Sequence, residues 1–196
     1  MKIKKALKKE KRNNMLFFTL MLAIFTTLPL ISFLFQIENI FLWIYLFIIE
    51  FLVIISFIAK LNYQSLKFNC RNNTLKFKSG LFVKECTILC DKIVTVHTCK
   101  SGDEMEIILI TTSRFRNKYS KPITKMFIKK FPEASEIYLK IKKINPEDNY
   151  YFQIIKRGGL KKYLLLDEIF KNCVKAIYTS SAIENIKISR EQIEMN

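Results

Sequence analysis

The amino-acid sequence predicts a transmembrane α-helical hairpin followed by a mainly β (α+β) cytoplasmic domain. Residues 15–59 contain no Lys or Arg and only two acidic residues, which is typical of membrane-spanning helices. Residues 60–196 contain many short stretches in which apolar and polar side chains alternate, as they do in half-buried strands. Residues 1–14 carry seven basic residues and one acid, which predicts a basic cytoplasmic N-terminus. The net charge of +16 is compatible with an apolar hairpin because the basic residues lie outside it.

The hairpin is predicted from two apolar runs, residues 15–37 and 40–59, that are 23 and 20 residues long. At ~1.5 Å rise per residue, each covers a ~30 Å hydrocarbon core. A short loop around Glu38 separates them, so the two helices must run antiparallel. Both outer flanks are basic and the loop is not, which places both termini in the cytoplasm. A cleaved signal peptide is disfavoured because a second apolar run follows at once.

Glu50 interrupts the second apolar run near its middle. An ionised carboxylate at the bilayer centre costs at least ~2.5 kcal/mol, so Glu50 needs a partner. Reflection of the hairpin about Glu38 places Thr26 and Thr27 at a similar depth, and their hydroxyls are the predicted partners of a protonated Glu50. One hypothesis is a structural interhelical bond, within the chain or in a homo-oligomer. The other is a proton or ion pathway, which is disfavoured because two helices are too few to enclose one.

The first half of the domain is predicted to be a meander of about five β-strands. The strands are expected at residues 66–69, 75–78, 81–89, 93–98 and 105–112. Gly80 marks a turn or bulge after the second strand, and residues 100–104 form a turn before the last.

The second half is predicted to mix helices and strands. A short helix within residues 114–130 is ended by Pro132, and strands follow at residues 137–144, 150–155 and 160–165. Gly158-Gly159 suits a two-residue hairpin turn. Asp167 is the expected cap of a helix whose apolar stripe is Ile169, Phe170, Cys173, Val174 and Ile177. The last ~15 residues fit either a helix with a Ser181–Glu184 capping box or a strand. Together these elements suggest a small antiparallel barrel or sandwich of about seven strands with a C-terminal capping helix.

Two features resemble a known family, the bacterial pleckstrin-homology-like (PH-like) membrane proteins. A two-span hairpin leads directly into a strand hairpin, and Lys78-Ser79-Gly80 is similar to that family's Arg-x-Gly turn. Residues 88–96 are similar to its I-P-L-x-x-I-x-x-V stretch, with Leu89 in place of the Pro. The resemblance covers roughly residues 15–112. It implies a PH-like domain that acts in interactions rather than catalysis, in a bacterial cytoplasmic membrane.

Metal, cofactor and catalytic sites are not predicted. Five cysteines lie on the cytoplasmic side, where thiols stay reduced. A zinc set of Cys86, Cys90, His97 and Cys99 is disfavoured, because two strand residues four positions apart are about 13 Å from each other at ~3.3 Å per residue. The sequence contains no nucleophile elbow, phosphate-binding loop or paired-His motif, so we expect no enzyme.

The basic residues are the predicted binding surface. Those expected to face anionic lipid or a partner are Lys60, Lys67, Lys76, Lys78, Arg114, Arg116, Lys118 and Lys121. Lys67, Lys76 and Lys78 also resemble the K-x(n)-K/R-x-R headgroup motif of some PH domains. Another interpretation is a solvated surface whose lysines keep edge strands from aggregating.

The predicted function is therefore that of a non-enzymatic integral membrane protein. It presents its basic domain at the cytoplasmic face of the membrane, where it docks anionic lipids or a membrane or cytoplasmic protein. One alternative is a small transport or sensing subunit that uses Glu50. A membrane-tethered nucleic-acid binder is a weaker alternative because no recognised nucleic-acid module is present.

Overall fold

A computed structural model describes residues 2–35, 39–101, 104–114 and 119–192. Two long helices come first, α1 (Ile3–Leu34) and α2 (Ile40–Gln64), and both are long and apolar enough to cross a membrane. They pack against each other, with the rings of Phe18 and Phe57 in edge contact at 4.9 Å between centroids. The predicted pair of apolar helices is confirmed. The predicted loop at 36–38 and the centre of the turn at 102–103 lie outside the described residues.

The domain that follows is a mixed α+β structure with two separate sheets. Its elements are β1 (Leu66–Arg71), β2 (Thr74–Ser79), β3 (Cys86–Leu89), β4 (Ile93–Ser101), β5 (Glu104–Thr111), β6 (Lys121–Pro122), α3 (Lys125–Lys130), α4 (Pro132–Ile144), β7 (Tyr151–Ile155), α5 (Lys161–Asn172), β8 (Ile177–Tyr178) and α6 (Ser180–Ser189). The first sheet is antiparallel in the order β1-β2-β3. The second has the order β6-β7-β5-β4-β8, in which β8 pairs with β4 in parallel and the other pairs are antiparallel.

Strand β5 separates two hydrophobic cores. Ile107 and Leu109 face a core shared with the first sheet, α5, α6 and the start of α1. Ile108 and Ile110 face a second core formed with α3 and α4. The strand is buried on both faces, which explains why its sequence is a nearly continuous apolar run rather than an alternating one.

The predicted continuous meander divides after β3. A single 3-10 turn, Cys90–Lys92, directs the chain from the first sheet into the second. Among the described residues neither sheet closes on itself, so the predicted small barrel is not formed. Two helices, α5 and α6, occupy the position predicted for one capping helix. The resemblance to PH-like domains stays a prediction.

The strand predicted at residues 137–144 is wrong, because this segment is the greater part of α4. Ala134, Tyr138 and Ile141 recur at helical spacing and face the second core, and this pattern outweighs the two-residue alternation. Pro132 occupies the first turn of α4, where a missing backbone N–H costs nothing, and the helix before it ends at Lys130, as predicted. The short helix predicted before it is confirmed as α3.

The strand predicted at residues 160–165 is also wrong, because α5 begins at Lys161. Gly158 and Gly159 form the expected turn, with φ of +124° and +52°, but it leads into a helix. Asp167 lies within α5 and does not cap it. The buried side chains of α5 include Leu165, Leu166 and Ile169.

The C-terminal tail is helical from Ser180 to Ser189. Thr179 caps this helix, since its hydroxyl accepts a hydrogen bond from the backbone N–H of Ala182 at 3.3 Å. Ile177, predicted to end the apolar stripe of a helix, starts β8 instead.

Candidate functional site

The end of α2 is fixed to the domain by backbone hydrogen bonds. Only Ser65 separates α2 from β1, and its carbonyl oxygen accepts from the N–H of Gly80 at 2.6 Å. The carbonyl oxygen of Tyr63 accepts from the N–H of Gly158 at 2.9 Å. The side-chain oxygen of Asn62 accepts from the N–H of Leu81 at 2.8 Å. We call Asn62, Tyr63, Ser65, Gly80 and Gly158 the junction.

Both junction glycines are required by the geometry. Gly80 and Gly158 have φ of +116° and +124°, which side-chain-bearing residues rarely adopt. A Cβ on Gly158 would lie 2.6 Å from Cδ2 of Leu66, and one on Gly80 would lie 2.8 Å from Oδ1 of Asn62. At Gly80 the backbone lies so close to α2, and at Gly158 so close to β1, that a side chain would not fit without displacing a neighbour.

Helix α1 makes a second attachment to the domain. Ile3 and Ala6 are 1% and 2% exposed, and Ile3 packs in the core beneath the first sheet. The basic segment 1–14 is thus helical from Ile3 onward, and one face of it is buried by the domain. The two long helices and the domain are joined at two places, which prevents the domain from swinging about a single hinge.

An apolar loop projects beside the junction. Leu81 and Phe82 follow Gly80 in the connection between β2 and β3, and they are 42% and 78% exposed. Because Asn62 holds the backbone of Leu81, these two exposed side chains are kept next to the end of α2.

A cavity of about 850 Å³ is lined in part by this loop, through Val83 and Lys84. Its floor is aromatic and is formed by Phe77, Phe127, Phe131 and Phe152. The rings of Phe127 and Phe152 are 4.4 Å apart between centroids, and those of Phe127 and Phe131 are 5.2 Å apart. The volume is within the ~300–1,000 Å³ usual for small-molecule sites.

The residues that line this cavity include six basic side chains and no acidic one. The basic residues are Lys84, Lys121, Lys129, Lys130, Lys156 and Arg157. Lys156 lies 3.7 Å from the carboxylate of Glu106. Within the described ranges, no carboxylate forms an ion pair with Lys84, Lys121 or Lys129. The cavity therefore combines an apolar floor with a positive rim, which we call the basic rim.

Arg157 connects the basic rim to the junction. Its guanidinium donates to Oδ1 of Asn62 at 3.4 Å, and its carbonyl oxygen accepts from the hydroxyl of Ser79 at 3.4 Å. Ser79 and Val83 also line the cavity and flank the Gly80 turn. One wall of the cavity is thus shared with the end of α2.

The predicted basic residues do not form one surface. Lys67 is the register partner of Lys78, and both lie with Lys76 on the outer face of the first sheet. The Lys60 ammonium is 5.6 Å from the centre of the Phe17 ring, between the two long helices. Arg114 is exposed beyond the end of β5.

Of the predicted residues that the structure describes, Lys121 alone lines the cavity. Arg116 and Lys118 lie outside the described residues. The remaining five members of the basic rim were missed by sequence reasoning. Two of them, Lys129 and Lys130, belong to the Lys-rich segment around α3, which could have indicated them. The six basic residues come together only through contacts between segments that are distant in the sequence.

Among the described residues, no hydrogen bond joins Glu50 to Thr26 or Thr27, so the predicted bond is not formed. Thr26 donates its hydroxyl proton within its own helix, to the carbonyl oxygens of Leu22 and Ala23 at 3.1 Å. Among the described residues Oε1 of Glu50 is buried and has no hydrogen-bond partner. Thr27 is exposed.

His97 belongs to a buried polar cluster that joins β4, α4 and α6. Its Nδ1 lies 3.1 Å from the hydroxyl oxygen of Thr179, 3.2 Å from that of Ser181 and 3.6 Å from Oε2 of Glu133. A catalytic triad needs the hydroxyl and the acid on opposite ring nitrogens, whereas here they share one. Burial lowers the pKa of His97, and the nearby Glu133 opposes that shift. The cluster is suited to holding elements together.

The cysteines are divided between the two hydrophobic cores, with Cys99 at the second and the other four at the first. Sγ of Cys70 is 3.6 Å from Sγ of Cys90, and burial raises the pKa of Cys70 to about 12. Burial also raises the pKa of Cys99. In the part of the chain that the structure describes, no three His, Cys, Asp or Glu residues are arranged to hold a metal ion.

Comparisons with known proteins were made at three levels. No family model, no curated protein and no solved structure matches this chain. The cavity, the junction and the exposed loop are therefore the observations from which a function is inferred.

Proposed function

We propose that this protein is a non-enzymatic integral protein of a bacterial cytoplasmic membrane, and that its domain is held against the inner leaflet and binds anionic lipid there. The observation that carries this proposal is the junction, which fixes the exposed loop and the cavity beside the end of α2. The absence of Lys and Arg from residues 15–59 and the basic flanks favour a topology with both termini in the cytoplasm.

The depth of the junction follows from the helix rise. Asn62 is three residues beyond the predicted span 40–59, or about 4.5 Å at ~1.5 Å per residue. The polar headgroup layer is about 5–7 Å thick on each side of the hydrocarbon core. Asn62, and the Leu81 backbone that it binds, therefore lie within the headgroup layer of the cytoplasmic leaflet.

At this depth the exposed loop is in contact with lipid. Leu81 and Phe82 gain free energy from entering the acyl boundary, up to ~1.5–3 kcal/mol for a large side chain that becomes fully buried. Lysines near an anionic surface add ~1 kcal/mol each. Apolar insertion and electrostatic attraction thus act in the same direction, and both hold the domain against the leaflet.

Depth-dependent fluorescence quenching of the full chain in liposomes tests the proposal. The chain has one Trp, so Trp43→Phe gives a background into which Phe82→Trp is introduced. We expect this residue to be quenched by lipids brominated high on the acyl chain. The matched variant is Lys5→Trp, an exposed α1 position about 15 Å outside the predicted span at ~1.5 Å per residue.

The Lys5→Trp variant is expected to escape quenching. No quenching at Phe82→Trp would show that the loop does not touch lipid, and equal quenching of the two variants would show that the loop has no preferred contact with it; either result would overturn the proposal. Binding to a protein partner through the outer face of the first sheet, where Lys67 and Lys78 lie side by side, would then become the better hypothesis.

A further inference from the structure

The cavity beside the junction has the two halves of an amphiphile-binding site. Its floor of four Phe rings is apolar, and because Phe77, Phe127 and Phe131 are only 1%, 3% and 4% exposed, the half-buried Phe152 is the ring that a ligand can chiefly reach. Small-molecule sites typically have mostly apolar linings with a few polar groups that fix orientation. A ligand with one apolar chain and one polar head fits this division.

The positive charge of the basic rim indicates which kind of polar head group the ligand has. Six cations line the cavity, no acidic side chain does, and only Lys156 has a nearby carboxylate, that of Glu106, so a head with a net negative charge is favoured over a zwitterionic or cationic one. Phosphate is the anion best suited to such a rim, because it accepts charge-assisted hydrogen bonds from several donors at once. The planar guanidinium of Arg157 can contact two phosphate oxygens together.

The position of the cavity identifies the source of the ligand. Ser79, Val83 and Arg157 form the wall that contacts the end of α2, and that wall lies at headgroup depth in the orientation proposed above. A lipid that leaves the leaflet at this wall meets Arg157 and then Lys84, which follows Val83 in the loop. Its chain then has the aromatic floor to pack against.

We propose that the cavity binds one anionic, single-chain phospholipid taken from the cytoplasmic leaflet, with its phosphate on the basic rim and its acyl chain on the aromatic floor. This inference rests on the proposed function, because the ligand reaches the cavity only when the junction lies in the membrane. It differs from general attraction to an anionic surface in requiring one enclosed molecule.

Photocrosslinking of the full chain in a neutral detergent tests this site. The probe is lysophosphatidylglycerol with a diazirine near the end of its acyl chain, and the labelled peptides are mapped by mass spectrometry. We expect labelling of residues 125–131 and 152–154, which contain the floor residues Phe127, Phe131 and Phe152. Unlabelled lysophosphatidylglycerol should compete, whereas lysophosphatidylcholine of the same chain length should compete on the order of tenfold less well. It carries the same phosphate, but the basic rim repels its quaternary ammonium group.

Paired variants test the basic rim. Lys84→Gln with Lys129→Gln removes two rim charges, and Lys143→Gln with Lys187→Gln removes two exposed charges elsewhere. We expect the first pair to reduce labelling about tenfold and the second pair to leave it unchanged. Equal effects of the two pairs would show that net charge, and not the cavity, attracts the probe.

Three other results would also overturn the inference. Labelling confined to residues 15–59 would place the probe on the apolar helices only. Equal competition by lysophosphatidylcholine would remove the requirement for a head with a net negative charge. Competition by inorganic phosphate or by an acidic peptide at the same concentration would mean that the rim serves a free anion or a protein. If Phe82→Trp is quenched by lipid while the floor is not labelled, the proposed function stands and this inference fails.

Discussion

The carboxylate of Glu10 accepts a hydrogen bond from the backbone N–H of Leu160, with Oε2 3.3 Å from the nitrogen. Leu160 immediately precedes α5, so Glu10 places a negative charge at the positive end of that helix. Gly159 makes this approach possible, because a Cβ at that position would lie against the carboxylate. The only acid of the basic segment 1–14 is thus used to attach α1 to the domain.

Glu10→Ala is expected to destabilise the folded domain by about 1–3 kcal/mol, because the N–H of Leu160 loses its partner in a half-buried site. Glu10→Gln keeps an acceptor and loses only the charge, so we expect a smaller cost of about 0.3–1 kcal/mol. Chemical unfolding of the full chain in detergent measures both values. Glu184→Ala, at an exposed position on α6, is the control. Equal destabilisation by all three variants would contradict the attachment.

Gly158→Ala is expected to destabilise the domain by at least ~1–3 kcal/mol, since it strains a residue with φ of +124°. Part of the cost comes from the contact of the new Cβ with Leu66. Adding Leu66→Ala should relieve that part, so the effects of the two substitutions should be less than additive. Denaturant titrations of the two single variants and the double variant measure this coupling. Strict additivity would mean that strain alone is responsible.

Stability is expected to fall as the pH drops below the ordinary His pKa of 6.5, because burial lowers the pKa of His97 in the folded state. Above pH 6.5 the ring is neutral in both states and contributes no pH dependence. Below it the unfolded state takes up the proton more readily, with a slope approaching ~1.4 kcal/mol per pH unit until the folded pKa is reached.

Unfolding measured between pH 5 and 8 tests this prediction in the wild type and in His97→Gln. His97 is the only His in the chain, so the difference between the two slopes isolates its contribution. The variant should be less sensitive to pH in this range. Parallel curves would show that the ring is not held in its neutral form by the fold.

Glu50→Leu is expected to raise the stability of the paired helices by about 1–3 kcal/mol, because Oε1 is buried without a hydrogen-bond partner among the described residues. Unfolding of the full chain in bicelles, with oligomeric state measured alongside, tests this expectation. A loss of stability together with a loss of dimers would reveal a partner for Glu50 in a second copy of the chain. If Glu50→Gln leaves cellular function unchanged, a transport or sensing role is excluded.

Ile3→Ala is expected to cost about 2–5 kcal/mol, as other large-to-small substitutions in hydrophobic cores do, since Ile3 is 1% exposed. Lys5→Ala lies on the same helical segment at an exposed position and should change stability by less than about 0.5 kcal/mol. Thermal unfolding of the domain in the full chain compares them. The result also bears on fragments, because residues 60–196 alone would expose the core that Ile3 covers.

The sequence was informative where structure depends on local composition. The two long helices follow from the length of the apolar runs, and β1 and β2 follow from the alternation of Leu66, Phe68, Leu75 and Phe77 with lysines and polar residues. Helices α4 and α5 were missed because short windows of their sequences also alternate, and only burial against the sheets decides between helix and strand.

The cavity was harder to predict from the sequence than the fold was. Lys84 and Lys156 are far apart in the chain, and they line one cavity because the segments that carry them are in contact, through Ser79 with Arg157 and through Cys86 with Gln153. No local pattern contains that pairing. The alternation along β1 and β2 predicts lysines on one face of each strand, but their grouping on the outer face of the first sheet rather than around a pocket is a tertiary property.

The backbone N–H of Lys4 lies 3.4 Å from Oε1 of Glu191, across a sequence separation of 187 residues. At a translation rate of ~5–20 residues per second, about 10–40 s pass between synthesis of these two partners. During this time the apolar face of α1 that carries Ile3 has no completed core to cover it. The first turns of α1 therefore reach their final packing only after almost all of the chain has been made.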